Sequence, residues 1–190
     1  MGFLTELTPA GLPGAMKRLR AGEFELERRM MICASCGDMP VQTALNDIVL
    51  YRPNDELHLV KHHVNVGGAD MGRIMSDGLI IATPTGSTAY SLSAGGPVVD
   101  PLLDCMLLTP ICPHSPLSRP AVLPYWEKIE IVTSPEDRGL MLSAVSRTPI
   151  ALKPGARIEV QRSKLRAGFI RFGHSSFYDA FRVKISEWSN

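Results

Sequence analysis

The sequence lacks several features that would indicate a membrane protein or a nucleic-acid-binding protein. No apolar run approaches the ~18 residues that a membrane-spanning helix needs, because Gly and Pro residues interrupt the most apolar stretch, 79–99. The N-terminus also lacks the basic and then apolar pattern of a secretory signal peptide. With 20 basic and 19 acidic residues, the formal net charge is only +1, which argues against a surface for DNA or an anionic membrane. We therefore expect a cytoplasmic protein with no membrane and no nucleic-acid partner.

Three common catalytic or nucleotide-binding motifs are also missing. The sequence contains no G-x-x-x-x-G-K-[ST] of a P-loop, no G-x-G-x-x-G after a strand and no G-x-S-x-G around a nucleophilic serine. It has only four cysteines; Cys33 and Cys36 form one C-x-x-C pair, whereas Cys105 and Cys112 are seven residues apart. Because a four-ligand zinc site normally uses two close pairs, we expect reduced, mostly buried thiols and no metal site. A zinc-bearing interaction module built on Cys33 and Cys36 stays an alternative.

The length and the hydrophobic pattern predict a mainly β fold. A chain of 190 residues with 45% hydrophobic and 21% charged residues can bury a core of ordinary globular composition. Short segments with apolar residues at alternate positions are separated by Gly, Pro and polar turns, which is typical of a layered antiparallel β-sandwich. Among these turns, Gly67-Gly68 predicts a tight hairpin. The predicted strands are 23–34, 41–52, 56–66, 71–82, 106–108, 128–133, 139–144, 157–161 and 165–171.

Short helices are predicted near both ends of the chain. Residues 12–20 have a helical pattern that ends at Gly22. Residues 89–94 are long enough for one or two further helical turns. The Pro-rich stretch 110–124 has few backbone donors and is predicted to run as an ordered surface loop. A C-terminal helix is predicted from apolar residues spaced four apart, Phe177, Phe181 and Ile185, with Ser176 and Asp179 as a capping box at its start.

One segment, 76–97, has the composition of a ligand-binding loop. Asp77 precedes an apolar strand, and a loop of small hydroxyl residues, 83–88, leads into the start of a helix. Small residues let a ligand approach the backbone, and free amide groups at a helix N-terminus can face a phosphate or a carbonyl group. Such a surface suits a nucleotide, although loops of Gly, Ser and Thr often only turn corners. Uncharged hydrogen-bonding groups and an aromatic ring complete the segment: Thr88, Tyr90 and Ser93.

Residues 77–97 resemble the signature of NAD kinases almost residue for residue, and other segments resemble further motifs of that family in the same order. Residues 2–6 (GFLTE) resemble the family's LGFLTE segment, and residues 44–47 (ALND) resemble its ALNE motif with Asp in place of Glu. Residues 109–115 and 119–120 resemble the block that follows the signature, and residues 177–188 resemble the C-terminal helix with its closing tryptophan. The resemblance covers essentially the whole chain.

The resemblance implies an activity, a fold and a set of binding residues. NAD kinases transfer a phosphoryl group from ATP or polyphosphate to the 2′-hydroxyl of the adenosine ribose of NAD, which gives NADP, and they use Mg²⁺ or another divalent cation with ATP. Family members join an N-terminal α/β domain to a mostly β domain and bind NAD where the two meet. They form dimers or tetramers in which neighbouring copies complete the nucleotide site. The residues implied to bind NAD are Asn46, Asp47, Asp77, Thr88, Ala89, Tyr90 and Ser93.

The family's GGDGT motif, whose aspartate is thought to activate the ribose hydroxyl, has no match in the sequence. Residues 67–70 (GGAD) are similar in letters but lie in the predicted hairpin before the signature. We therefore interpret residues 1–22 as a remnant of, or link to, an N-terminal α/β domain. Residues 23–190 are interpreted as an NAD-binding all-β domain with a C-terminal helix. This interpretation predicts that the chain carries no catalytic residue and is inactive on its own.

Two further alternatives stay open. A non-catalytic dinucleotide-binding or oligomerising module would keep Asn46, Asp77 and Tyr90 and bind NAD or NADP without turnover. A relative of the diacylglycerol and sphingosine kinases, which resemble NAD kinases in overall architecture, would need a more apolar groove around the signature.

Overall fold

The structure of the protein is a computed structural model, and it describes residues 6–53, 59–115, 118–144, 147–173 and 177–188. None of the described helices is long and apolar enough to cross a membrane. The helices are α1 (Leu12–Ala21), α2 (Tyr90–Ser93) and α3 (Phe177–Trp188), and short 3-10 helices span Pro9–Gly11 and Thr85–Thr88. The strands are β1 (Glu25–Ser35), β2 (Gln42–Ala44), β3 (Asp47–Tyr51), β4 (Val60–Val66), β5 (Ala69–Ser76), β6 (Gly78–Ala82), β7 (Cys105–Ile111), β8 (Ala121–Pro124), β9 (Ile129–Thr133), β10 (Met141–Ala144), β11 (Ile150–Ala151) and β12 (Arg157–Arg171).

The strands form two six-stranded antiparallel sheets. One sheet has the strand order β2-β1-β12-β9-β4-β5, and the other has the order β11-β10-β3-β6-β7-β8. Hairpin strands such as β4 and β5 are neighbours in one sheet, whereas the consecutive strands β2 and β3 belong to different sheets. The prediction of a mainly β fold with layered antiparallel sheets and short helices near both ends is confirmed.

Contacts within the chain divide it into two compact units. The smaller unit consists of Met1–Arg29 and Ala167–Asn190, and the larger unit consists of Met30–Arg166. The boundary expected after residue 22, between a link and an all-β domain, stays a prediction.

The core of the larger unit is a hydrophobic cluster to which both sheets contribute. Alternate residues of a strand point to the same face, and such residues of β6 in one sheet and β9 in the other are fully buried. Burying each of these side chains contributes roughly 1.5–3 kcal/mol relative to leaving it exposed. They are Leu79 and Ile81 in β6 and Ile129 and Ile131 in β9.

β6 is also covered on its other face. Ile80 and Ala82 belong to a second, smaller cluster together with Val49 of β3. Ala94 and Val99, which come from the segment that follows β6, pack against this cluster. β6 is therefore buried on both faces, which explains its continuous apolar sequence. The segment that follows β6 lies against the outer face of its own sheet.

The stretch 41–52, predicted as one strand, is two strands in different sheets. β2 pairs with β1, while β3 pairs with β6 and β10. The chain changes sheet at Leu45 and Asn46, whose carbonyl groups accept hydrogen bonds from the hydroxyl group and the backbone nitrogen of Thr83. The prediction of one strand is wrong, because the interruption of the apolar residues by Asn46 and Asp47 marks a change of sheet and not a polar position within a strand.

The stretch 71–82 is likewise two strands, β5 and β6, which belong to different sheets and are separated only by Asp77. Across the break, the hydroxyl group of Ser76 donates a hydrogen bond to the carbonyl oxygen of Gly78 at 2.7 Å. A Cβ atom at Gly78 would lie 2.5 Å from the carbonyl oxygen of Leu50, so only glycine lets β6 approach β3 this closely. The prediction of one return strand is therefore wrong.

Other strand boundaries also differ from the predicted ones. Residues 157–161 and 165–171, predicted as two strands, belong to the single strand β12. The Pro-rich stretch 110–124 is not only a loop, because its last residues form β8, which pairs with β7. For the predicted strand 56–66, β4 begins at Val60, and the positions before residue 59 lie outside the described residues.

Glycines end helices and form turns where the sequence predicts them. Gly67 and Gly68 have φ angles of 58° and 86° and join β4 to β5, as expected for a tight hairpin. α1 ends at Gly22, which has a left-handed φ of 74° and whose nitrogen donates a hydrogen bond to the Leu19 carbonyl at 3.2 Å. The C-terminal helix is confirmed as α3, while its predicted cap, Ser176, lies outside the described residues.

The smaller unit contains a network of charged side chains that are largely buried. Arg171 of β12 donates hydrogen bonds to the Glu27 carboxylate of β1 at 3.1 and 3.3 Å and lies 3.9 Å from the Glu6 carboxylate. Glu6 also accepts a hydrogen bond from the backbone nitrogen of Phe172 at 3.1 Å. Burial acts to raise the pKa of Glu27, but hydrogen bonds from Arg171 and Arg29 lower that pKa overall. The Glu27 carboxylate is therefore held in its charged form.

Candidate functional site

The segment that follows β6, residues 83–99, is called the signature loop below, and it folds back on the turn that precedes β3. β3 and β6 are antiparallel neighbours with Asp47 opposite Ala82, so the start of β3 lies beside the end of β6. The backbone nitrogen of Thr83 donates a hydrogen bond to the carbonyl oxygen of Asn46 at 2.8 Å. Two segments that are far apart in the sequence, the ALND motif and the hydroxyl-rich loop, are therefore in direct contact.

Glycine at position 86 is required by this contact. A Cβ atom built on Gly86 would lie 2.8 Å from the Cα atom of Asn46 and 2.5 Å from its carbonyl carbon, closer than real Cβ atoms approach other heavy atoms. The nitrogen of Gly86 donates to the hydroxyl group of Thr83 at 3.1 Å, and that hydroxyl group donates to the carbonyl oxygen of Leu45 at 2.5 Å. The backbone of the signature loop thus packs directly on the backbone of the turn.

Buried hydroxyl groups fix the rest of the signature loop. The Ser87 hydroxyl group donates to the Val99 carbonyl at 3.2 Å and accepts from the Val99 nitrogen at 3.0 Å. The hydroxyl oxygens of Ser91 and Thr109 lie 2.9 Å apart in a shared hydrogen bond, and Gly96 packs against Ser91. Because these hydroxyl groups are satisfied inside the protein, they hold the loop in place and do not face a ligand.

The other candidate side chains of the signature loop are accessible. Thr88 and Ala89 are half-buried, Tyr90 is 47% exposed and Ser93 is exposed. The Thr88 hydroxyl oxygen lies 3.4 Å from the Thr85 carbonyl oxygen, a long hydrogen bond that a ligand group can replace. Four of the residues implied by the resemblance therefore lie together, at the end of a 3-10 helix and on α2.

Asn46 and Asp47 are adjacent but differ in exposure. Asn46 is half-buried, whereas Asp47 is fully buried and neither of its carboxylate oxygens has a hydrogen-bond partner among the described residues. Burial raises the pKa of Asp47 to about 6, because an ionised carboxylate without donors is unfavourable in apolar surroundings. Asp47 alternates in phase with Val49 on β3, and Val49 belongs to the cluster that the signature loop covers. The carboxyl group of Asp47 therefore belongs to the same face of the sheet as the loop.

Asp77 lies at the other end of β6 from Thr83. The two residues are six positions apart in extended chain, which corresponds to roughly 20 Å. Asp77 is exposed, and its backbone nitrogen donates a hydrogen bond to the Ile111 carbonyl at 2.9 Å. The structure therefore does not bring Asp77 to the end of the sheet where Asn46 and Thr88 lie.

Neither the histidines nor the cysteines make a metal site in the described residues, where no three His, Cys, Asp or Glu side chains are grouped to bind an ion. His62 and His63 are neighbours on β4 and point to opposite faces: His62 is fully buried and His63 lies 3.2 Å from the Asp70 carboxylate. The prediction of mostly buried thiols is wrong. All four cysteines are free, but one is buried, two are half-buried and one is exposed: Cys36, then Cys33 and Cys105, then Cys112.

The described residues do not fit a Mg²⁺ site built from protein side chains alone. Magnesium in phosphoryl-transfer sites is usually held by one or two carboxylates together with substrate phosphates. Here the candidate carboxylates do not converge, because Asp47 is buried at one end of the sheet and Asp77 is exposed at the other. We therefore treat the divalent cation that the resemblance implies as part of an ATP–metal substrate.

Sequence reasoning missed the structural roles of Thr83 and Gly86. It treats the whole loop 83–88 as a surface for a ligand, whereas these two residues face the turn at Asn46. A glycine in such a loop can indicate that another part of the backbone approaches closely at that position. The segment that makes the approach could not be identified, because it lies about 40 positions earlier in the chain.

Comparisons with known proteins place this arrangement in a family. The family model of the ATP-NAD kinase C-terminal domain matches residues 45–172, which include the ALND motif from its second residue and the whole signature loop. The NAD kinase of Desulforamulus reducens is 38% identical over 194 residues, an alignment that covers 100% of this chain and 67% of that enzyme. The chain belongs to the NAD kinase family. This assignment favours the NAD kinase interpretation over the lipid-kinase alternative.

Two solved structures of NAD kinases share the fold. The crystal structure of yeast NADH kinase complexed with NADH matches with a TM-score of 0.84 and 31% identity, covering 95% of this chain and 53% of the yeast chain. An NAD kinase from Archaeoglobus fulgidus in complex with ATP matches with a TM-score of 0.81 and 30% identity, covering 97% of this chain and 70% of that one. This chain thus spans about half the length of the yeast NADH kinase chain and 67% of the Desulforamulus enzyme.

Proposed function

We propose that the chain forms the dinucleotide-binding part of an NAD kinase, which phosphorylates the 2′-hydroxyl of the adenosine ribose of NAD to give NADP. The observation that carries this proposal is the packing of the signature loop on the turn at Asn46. This packing holds a set of uncharged polar side chains on a fixed backbone, which is what recognition of a dinucleotide needs. The family relatives with bound NADH and bound ATP support the same class of ligand.

Each accessible residue of the site offers a different contact. Tyr90 presents an aromatic face on which a base can stack, and its hydroxyl group can hydrogen-bond. Thr88 and Ser93 present hydroxyl groups that donate to or accept from ribose and amide groups. Ala89 leaves room beside them, and the carboxamide of Asn46 both donates and accepts. Because none of these contacts is ionic, we expect NAD binding at this site to depend only weakly on salt.

We propose that Asp77 acts in the site of a neighbouring copy within a dimer or tetramer. Its exposed carboxylate lies at the opposite end of β6 from Thr83, roughly 20 Å away along the strand. An exposed carboxylate can accept hydrogen bonds from the amino or hydroxyl groups of a dinucleotide bound to another copy. The family resemblance supports such an assembly, because it implies oligomers in which neighbours complete the nucleotide site.

The chemical step is proposed to need a second domain. Phosphoryl transfer requires a positioned donor and a group that orients the attacking hydroxyl. The GGAD residues 67–70 do not fill that role, because they form the β4–β5 hairpin. We propose that residues 1–22 link this domain to an N-terminal α/β domain that carries the GGDGT aspartate, and that the chain alone does not form NADP. ATP with Mg²⁺, or polyphosphate, is the proposed donor, and the cytoplasm is the proposed location.

A non-catalytic dinucleotide-binding or oligomerising module is the second candidate function. The same missing match to the GGDGT motif favours it, because the described site contains binding groups but no group assigned to the reaction. This candidate predicts NAD or NADP binding without NADP formation, even after the N-terminal α/β domain of a relative has been supplied.

Calorimetric titration of the whole chain with NAD and with NADP tests the proposed function. We expect saturable binding that Tyr90→Ala weakens about tenfold or more, since stacking of a base on an aromatic ring contributes about 1–3 kcal/mol. Trp126→Ala is the matched control, because Trp126 is 69% exposed and lies outside the candidate site. A parallel assay for NADP with ATP and Mg²⁺ should show no turnover by the chain alone. A folded chain that binds neither dinucleotide would contradict the proposal.

A further inference from the structure

The carboxyl group of Asp47 makes no contact that would explain why it is buried. It is fully buried, and neither oxygen accepts a hydrogen bond from a described residue. A buried polar group without partners normally costs stability, so its presence needs another reason. Asp47 follows Asn46, whose carbonyl group holds the signature loop through Thr83, and it lies opposite Ala82 in the sheet. The unpaired carboxyl group is therefore at the base of the proposed dinucleotide site.

Within the described residues, the strands that flank Asp47 and the 3-10 helix of the signature loop offer no charged side chain to stabilise its ionised form, and Arg147, which follows β10 at the end that pairs with the start of β3, is exposed. β6, β10, β2 and the 3-10 helix of the signature loop carry no titratable residue. In the signature loop and the residue that follows it, the titratable side chains are Tyr90 on α2 and Asp100. Burial is the cause that raises the pKa of Asp47 to about 6. The free protein therefore keeps a proton on this carboxyl group under mildly acidic conditions.

We propose that binding of a dinucleotide to the signature loop is coupled to the loss of one proton from Asp47. The inference rests on the proposed function of the site. Hydroxyl or amide groups of the ligand, or water admitted when the loop adjusts to it, donate hydrogen bonds to the carboxylate and favour its ionised form. When the dinucleotide binds, the carboxylic acid of Asp47 becomes a carboxylate and its proton passes to the solvent. The affinity for NAD should therefore fall as the pH drops below 6, by up to about tenfold per pH unit.

Calorimetric titration with NAD at pH 5.5 in two buffers of different ionisation enthalpy measures the coupling, because the difference in heat gives the number of protons released. We expect clearly more proton release per NAD at pH 5.5 than at pH 7.5, because the raised pKa of Asp47 leaves the free carboxyl group protonated to a larger extent at the lower pH. Asp47→Asn should abolish the release. Asp100→Asn is the matched control, because Asp100 lies just after the loop but is half-buried and already accepts a hydrogen bond from Leu102 at 2.9 Å.

The outcomes distinguish the coupling from the proposed function. NAD binding at pH 7.5 without proton release at pH 5.5 would overturn the coupling alone, as would unchanged release by Asp47→Asn. The absence of NAD binding at both pH values would overturn the coupling together with the proposed function. If Asp47→Asn does not fold, carbon-13 NMR titration of the wild-type Asp carboxyl carbons decides the question. In that experiment one apparent pKa near 6 should move well below 5 when NAD is added, and no movement would overturn the coupling.

Discussion

The carbonyl group of Asn46 accepts a hydrogen bond from the backbone nitrogen of Thr83 and lies directly against Gly86. The turn before β3 and the signature loop after β6 are therefore one structural unit, although about 40 residues separate them in the sequence. Any change that separates the two backbones should disturb both the stability of the larger unit and the binding of a dinucleotide.

Replacing Gly86 tests this relationship directly. Gly86→Ala places a Cβ atom 2.8 Å from the Cα of Asn46, so the loop must move away from the turn. We expect a loss of roughly 1–3 kcal/mol in the free energy of unfolding, as for other overpacked positions, and a marked loss of NAD affinity. Gly14→Ala is the control: Gly14 lies in α1 with no atom within 4 Å of an added Cβ, so this change should stabilise the chain by up to about 1 kcal/mol. Equal effects of the two substitutions in urea unfolding would contradict the prediction.

The hydroxyl group of Thr83 should contribute to stability and not only to the shape of the loop. Thr83→Val keeps the shape but leaves the Leu45 carbonyl and the Gly86 nitrogen without their partner. Because Gly86 is buried and Leu45 is half-buried, we expect a loss of about 1–3 kcal/mol in urea unfolding. Thr43→Val on β2 is the matched control: in the described part of the chain its half-buried hydroxyl makes no hydrogen bond, and we expect a change within about 0.5 kcal/mol. A Thr83→Val protein as stable as the control would show that the Thr83 hydroxyl group does not stabilise the turn, which is also held by the backbone hydrogen bond from Thr83 to Asn46.

The strands and helix ends follow largely from local sequence, whereas the changes of sheet do not. Alternating apolar residues predict β9 and the first part of β12, and Gly22 ends α1 where a left-handed residue is needed. At each change of sheet only a short polar or glycine interruption stands between apolar residues, at 46–47 (ND) and 76–78 (SDG), and one long strand can also contain such an interruption. Which sheet a segment joins depends on long-range partners, such as the close approach of Gly78 to β3, and no local pattern encodes that choice.

The sequence identifies the segment proposed to bind the ligand, but it does not show how that segment is arranged. The segment containing Thr88 and Tyr90 could be recognised by its small hydroxyl residues and by resemblance. The sequence does not show which of these hydroxyl groups point into the protein. Those of Ser87 and Ser91 make hydrogen bonds inside it, with Val99 and with Thr109, and these partners are brought close only by the fold. For the same reason, the burial of Asp47 and the distance of Asp77 from the loop could not be predicted without knowing the register of the strands in the sheet.

Arg171 should stabilise the smaller unit through its paired carboxylates. Its side chain is only 14% exposed, and Arg171→Met would leave Glu27 and Glu6 partly buried without their cation. We expect a loss of about 2–4 kcal/mol in the free energy of unfolding, since breaking one side of a buried ion pair is more harmful than removing the pair. Arg182→Met provides the control, because Arg182 is 81% exposed and its 3.5 Å pair with Asp179 should contribute less than about 0.5 kcal/mol. Similar unfolding midpoints for the two variants would exclude a stabilising role for the network.

His62 should make the protein less stable as the pH falls from 6.5 towards 4. It is fully buried, and burial lowers its pKa to about 4, an effect that the charge of Asp137 only partly opposes. Between these pH values the unfolded chain binds a proton that the folded chain does not, so the free energy of unfolding decreases by up to roughly 3 kcal/mol. Asp47 acts in the opposite direction, because its raised pKa stabilises the folded chain as the pH falls from 6 to 3.8. The wild-type profile alone therefore does not isolate the contribution of His62.

The difference between His62→Leu and the wild type removes the contribution of Asp47, which the two proteins share. We expect His62→Leu to gain stability relative to the wild type as the pH drops from 7 to 4, by up to roughly 3 kcal/mol in urea unfolding. His63→Leu is the matched control on the opposite face of β4, where the half-exposed imidazole pairs with Asp70 at 3.2 Å. Its difference from the wild type should be small, because an exposed ion pair contributes little to stability. A constant difference between His62→Leu and the wild type at every pH would mean that the buried imidazole binds its proton as readily in the folded chain as in the unfolded one.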